Sequence, residues 1–209
     1  MNMKRHHGAK WLALVTAIAL VFGIVQVVQA AIDGTSHDFA AAAWNSTGEM
    51  CIVCHTTHNP AQAAAGPLWN HELTTQTFVM YSSGTLDADT SGGISGDSKL
   101  CLSCHDGVSA MDNFGGTTTG TALMGAVPGN LGTNLSDSHP VSIDYTAAGG
   151  GLNATTTVTP LGGTVQSDLL GGGVTVECSS CHDPHDNTNA PFLIMANTNS
   201  QLCTSCHAK

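Results

Sequence analysis

All eight cysteines of this 209-residue chain fall in one pattern, Cys-x-x-Cys-His, which occurs four times. The copies are Cys51, Cys54 and His55; Cys101, Cys104 and His105; Cys178, Cys181 and His182; and Cys203, Cys206 and His207. This pattern is the attachment signature of c-type haem. The two thiols add to the porphyrin vinyl groups, and the adjacent histidine reaches the iron from the same side. Four copies with no cysteine left over imply four covalently bound haem c groups. Three other chemistries compete for the same residues. Zinc needs only the thiolates, so no histidine would have to follow every pair. A thioredoxin-like site needs one motif beside a βαβ pattern, and none is visible. Structural disulfides suit an exported chain but do not demand one repeated spacing.

Each iron then needs a ligand on its second face. The chain has eleven histidines. His6 and His7 lie in the N-terminal segment and four belong to the motifs, which leaves His37, His58, His71, His139 and His185 as distal candidates. Five candidates suffice for four bis-histidine haems. His58 and His185 each follow a motif histidine by three residues. Neither can fold under its own haem, so each points to a neighbouring one and brings two porphyrins close enough for electron hopping. His71 and His139 lie between attachment motifs, and His37 stands near the start of the mature chain. Met50, Met80, Met111, Met124 and Met195 are rival ligands that would raise the potential. With histidines in sufficient supply, they read as packing. Irons saturated by histidine, and the absence of a Cys-x-x-Cys-Lys variant from the sequence, favour an electron carrier over an enzyme.

The elements that must hold these residues are short. The first and third motifs extend to Cys-x-x-Cys-His-x-x-His, and the second and fourth share a Leu-Cys-x-Ser-Cys-His frame. The order reads as one two-haem module used twice, over about residues 37–112 and 136–209, with a Gly/Thr-rich insertion. Residues 113–121 and 149–173 are of low complexity; within them 155–159 is a candidate exposed strand, with loop as the alternative, and the Ser/Thr tracts are candidate glycan carriers. Each motif is expected on one or two helical turns, and residues 40–44 (AAAAW) form a candidate short helix. The fold class expected is irregular: mostly loop, with short helices and few strands, wrapped around four stacked haems. The side chains alone build a poor core, so haem attachment should also be the folding energy.

Residues 1–30 read as a cleaved signal peptide. Lys4, Arg5 and Lys10 precede an apolar run over residues 11–25, and Val28-Gln29-Ala30 is a small-residue cleavage site. The competing reading, an uncleaved anchor, meets a short run interrupted by Gln26 and Gln29. Residues 31–209 would remain as a single domain without a membrane span. They hold fifteen acidic side chains against Lys99 and Lys209. That balance argues against nucleic acid or an anionic membrane as partner.

The doubled motif frame, Pro67-Leu68-Trp69-Asn70-His71-Glu72, the run LCLSCHDG at 100–107 and Ser138-His139-Pro140-Val141-Ser142 carry a resemblance. They resemble the exported tetrahaem cytochromes of the OmcE type, which polymerise into extracellular filaments, and related archaeal filaments. The likeness covers the haem-bearing parts and is weak in the insertions. It implies a loop-rich fold, a continuous chain of haems, self-assembly, and an axial histidine supplied by the adjacent subunit. His37, near the mature terminus, is the first choice for that donated ligand. The partners implied are other copies of the chain and redox proteins or extracellular acceptors. The alternative is a soluble periplasmic tetrahaem shuttle between two redox partners. An enzyme of nitrogen or sulfur reduction ranks third.

Overall fold

A computed structural model describes residues 32–208, which belong to one unit. The export segment read in residues 1–30 lies outside the described residues. Regular structure is sparse: α1 (Gly96–His105), β1 (Ile143–Asp144), α2 (Val165–Leu169), β2 (Thr175–Val176), a 3-10 turn at Cys178–Ser180, another at Thr198–Ser200, and α3 (Gln201–Cys206). The remainder is turn and loop, so the expected irregular fold is the one found. No helix among the described residues is long and apolar enough to cross a membrane.

The attachment motifs are where helical turns form. In the first, the Cys51 carbonyl accepts from the N–H groups of Cys54 (3.1 Å) and His55 (2.8 Å). In the third, the Cys178 carbonyl does the same for Cys181 (3.1 Å) and His182 (3.0 Å). The second lies wholly within α1, and the fourth runs through α3, with His207 N–H on the Cys203 carbonyl at 2.9 Å. One turn is enough to place cysteines i and i+3 on one side, with the histidine beside them.

Two small cores flank the last motif. Tyr145, Val165 and Leu170 pack with Leu152, Val176 and Cys206; Leu169, Met195 and Leu202 pack with Cys181, Leu193, Ile194 and Cys206. Tyr145 Oη donates to the carbonyls of Asn153 (2.8 Å) and Cys206 (3.1 Å), fixing α3 against the 145–153 loop. Helix α2 begins with a capping box, Thr164 and Ser167 each bonding the other's backbone N–H. Strands β1 and β2 pair antiparallel, Ile143 opposite Val176 and Asp144 opposite Thr175, which delivers the chain to Cys178.

Two local expectations fail. Residues 40–44 form turns, not a helix. Asn45 Nδ2 donates to the carbonyls of Phe39 (2.9 Å) and Glu49 (3.1 Å), and Asp38 accepts from Ala40 N–H. Such side-chain bonds compete with a helix that four alanines are too few to nucleate. Residues 155–159 make only one bridge, Val158 with Thr164. A turn closes at Thr157 N–H on the Ala154 carbonyl, and Pro160 next in line has no N–H to extend a ladder.

Candidate functional site

Each of the first three motif histidines is turned by a main-chain carbonyl. His55 Nδ1 lies 2.9 Å from the Pro67 oxygen, His105 Nδ1 2.6 Å from that of Gly129, and His182 Nδ1 3.1 Å from that of Pro191. Three of the distal candidates are held likewise: His71 Nδ1 by the Glu72 carbonyl at 2.7 Å, His139 Nδ1 by that of Pro140 at 2.9 Å, and His37 Nδ1 by that of Pro184 at 3.4 Å. A carbonyl on Nδ1 fixes the proton there and leaves Nε2 as the free donor atom. This is the outer arrangement metal-bound histidines ordinarily have. Burial lowers the His37 pKa, against the Pro184 bond, which favours the neutral ring that a metal requires.

The rings also meet in pairs. Centroids are 6.0 Å apart for His37 and His105, 6.0 Å for His55 and His185, and 6.3 Å for His139 and His207. Two imidazoles holding one ion from opposite sides, with bonds of about 2 Å, have centroids roughly 6 Å apart. Every pair joins one motif histidine to one distal candidate. Among the described residues no three His, Cys, Asp or Glu gather as a bare metal ion would need, whereas a porphyrin-held iron takes two axial ligands. The eight thiols are free, with no disulfide among them. The residues present therefore fit haem c: two free cysteines and the neighbouring histidine on one turn, and at three of the four motifs a second histidine ring about 6 Å away.

The other candidates sit differently. His71 is buried, with Nε2 3.5 Å from Cys104 Sγ. Segment 69–72 is pinned from both sides, by Asn70 N–H on the Cys54 carbonyl (2.9 Å) and Glu72 N–H on the Asn113 carbonyl (2.8 Å). His58 is exposed, and its ring makes no hydrogen bond or ring contact among the described residues. Among them, too, no ring stands against His182. His37, the first choice for a donated ligand, instead stacks on Phe192 at 4.5 Å and faces His105 of its own chain. Met195 is in the core, its sulfur accepting from Ser205 Oγ at 3.8 Å, in keeping with a packing role.

Sequence reasoning missed the polar cluster that joins the second and third motifs. Glu177, 2 % exposed, immediately precedes Cys178. Its Oε2 accepts from Ser98 N–H (3.2 Å), Ser98 Oγ (2.5 Å) and Ser142 Oγ (3.2 Å). Ser98 Oγ accepts in turn from Cys178 N–H at 3.0 Å. In the unmodified chain the neighbouring Cys101 thiol and Ser98 hold the Cys178 thiol below its usual range. Burial raises Cys54 to about 11. One mark of the Glu177 cluster in the sequence is Gly96, which the structure sets at the start of α1. Its φ is +51°, and a Cβ there would lie 2.5 Å from Glu177 Oε1.

Residues 172–209, which carry the third and fourth motifs, match the doubled CXXCH motif family. No curated protein matches the chain. The match supports covalently bound haem c, and with it the electron transfer of multihaem c-type cytochromes.

Proposed function

We propose that this chain, read as a multihaem c-type cytochrome, carries four haems and moves electrons among them without itself catalysing a reaction. Cys51/Cys54, Cys101/Cys104, Cys178/Cys181 and Cys203/Cys206 are the attachment points, and His55, His105, His182 and His207 the proximal ligands. The observation that carries the reading is the set of three facing imidazole pairs at 6.0 to 6.3 Å. On this reading His37 serves the second haem, His185 the first and His139 the fourth. Bound haem supplies the one-electron iron couple. The protein's part is to hold both axial positions against substrates and to fix each ring by its carbonyl.

No histidine ring stands against His182 among the described residues, and the resemblance to filament-forming cytochromes implies that an adjacent copy supplies the third haem's second ligand. His71 is buried against Cys104. His58 is exposed and unengaged, so it replaces His37 as the ligand given to the His182 haem of an adjacent copy. On this reading the chain is exported, polymerises outside the cell, and conducts along stacked haems to external acceptors. The acidic surface then needs cations, or few apposed carboxylates, at each joint.

The test is intact mass and haem spectroscopy of the purified protein, followed by electron microscopy. Four haems per chain, all low-spin, in helical filaments support the proposal. Four low-spin haems in a monodisperse monomer would leave a periplasmic shuttle. A cyanide- or nitric oxide-binding resting haem would overturn the carrier reading.

A further inference from the structure

Glu177 is a carboxylate taken out of water without an ion pair to lysine or arginine among the described residues; its partners are the hydroxyls of Ser98 and Ser142 and one helix N–H. Burying a charge is costly unless it is well bonded, and the chain makes room for this one twice. Gly96 lies against its Oε1, and a Cβ at Gly171 would fall 2.8 Å from its Cγ. Two haem anchors converge on it. Cys178 is the next residue and its N–H donates to Ser98 Oγ; Cys101 lies one turn after Ser98 on α1. A negative charge in a low-dielectric site favours the more positive, oxidised form of any neighbouring redox centre.

We infer that Glu177 is a positioning and potential-setting residue: its carboxylate clamps the second and third attachment motifs together and lowers the reduction potentials of the two haems they carry. The inference rests on the haem reading above. It makes the crossing between the two modules the low-potential stretch of the chain. Electrons would therefore be retained on the haems of the first and fourth motifs until driven across.

The experiment is a spectroelectrochemical titration of the haem-loaded protein, wild type against two variants. Glu177→Gln keeps an oxygen acceptor for Ser98 and Ser142 but removes the charge. Two of the four midpoints should rise, with haem count and thermal stability close to wild type. Ser142→Ala, at a partly exposed position, withdraws one donor from the carboxylate, and the same two midpoints should fall. A structural role alone would not give shifts of opposite sign. Midpoints unmoved in Glu177→Gln, or all four moved together, would overturn the inference. If Glu177→Gln failed to load haem, Ser142→Ala would decide it, unchanged midpoints again refuting the role. Wild-type protein without covalent haem would sink the underlying reading instead.

Discussion

Replacing His37 by alanine separates an internal ligand from a donated one. In the structure His37 faces His105 at 6.0 Å, stacks on Phe192 at 4.5 Å and bonds the Pro184 carbonyl at 3.4 Å. Losing the stack costs about 0.5–1.5 kcal/mol. Losing the long hydrogen bond costs roughly 0.5 kcal/mol, the low end for such bonds. Holoprotein stability should thus drop by about 1–2 kcal/mol from these contacts, a loss the fold tolerates. The spectroscopic effect is larger. One haem in four loses an axial nitrogen, so a quarter of the ferric electron paramagnetic signal should pass from low-spin to high-spin. It should do so in dispersed monomers as well as in assemblies, and added imidazole should restore it. An unchanged low-spin spectrum in monomers would refute the pairing with His105. So would a high-spin signal confined to assembled material, since His37 would then be serving a neighbour.

Other outcomes follow from the same contacts. His58→Ala should keep its haem complement yet fail to assemble, checked by microscopy and haem-to-protein ratio. Tyr145→Phe takes the hydroxyl from the Asn153 carbonyl, while the Cys206 carbonyl keeps Asn153 N–H, and should cost about 1–3 kcal/mol in chemical denaturation. Leu102→Ala, at a position 1 % exposed within α1, should cost about 2–5 kcal/mol and lower the yield of loaded protein. The Asp168 carboxyl is held below its usual range by the Thr159 and Ser167 hydroxyls and Gly163 N–H. Its contribution is therefore complete above the ordinary carboxylate pKa and is lost as pH falls through the depressed value. Protection of the Gly163 amide against exchange, taken relative to its intrinsic rate at each pH, should fall on acidification, and should not in Asp168→Asn.

Local features were legible in the chain itself. A Cys-x-x-Cys-His run needs one turn to align its donors, so the turn from Cys51 to His55 follows from spacing alone. The histidine pairs could not be assigned in the same way. His37 with His105, His55 with His185, and His139 with His207 are joined across 68 to 130 residues, and nothing in spacing selects among five candidates. Nearness to a terminus suggested that His37 reaches outward; Phe192 and Pro184, distant in sequence, hold it inward. Nothing in the chain itself distinguishes Glu177 from the other fourteen acids. Its burial depends on two serines and two glycines contributed by other segments. The polyalanine run misled because the bonds of Asn45 and Asp38 outweigh intrinsic preference over so short a stretch.

The carbonyls of Pro67, Gly129 and Pro191 that turn the motif histidines belong to the main chain. Any amino acid carries such a group. The loops that aim the ligands can therefore exchange nearly every side chain and still aim them, provided their path is kept. Selection on such a protein would act on contour and on a few fixed letters. Its lineages could drift until only those letters remain in common, while the route taken by an electron stays the same.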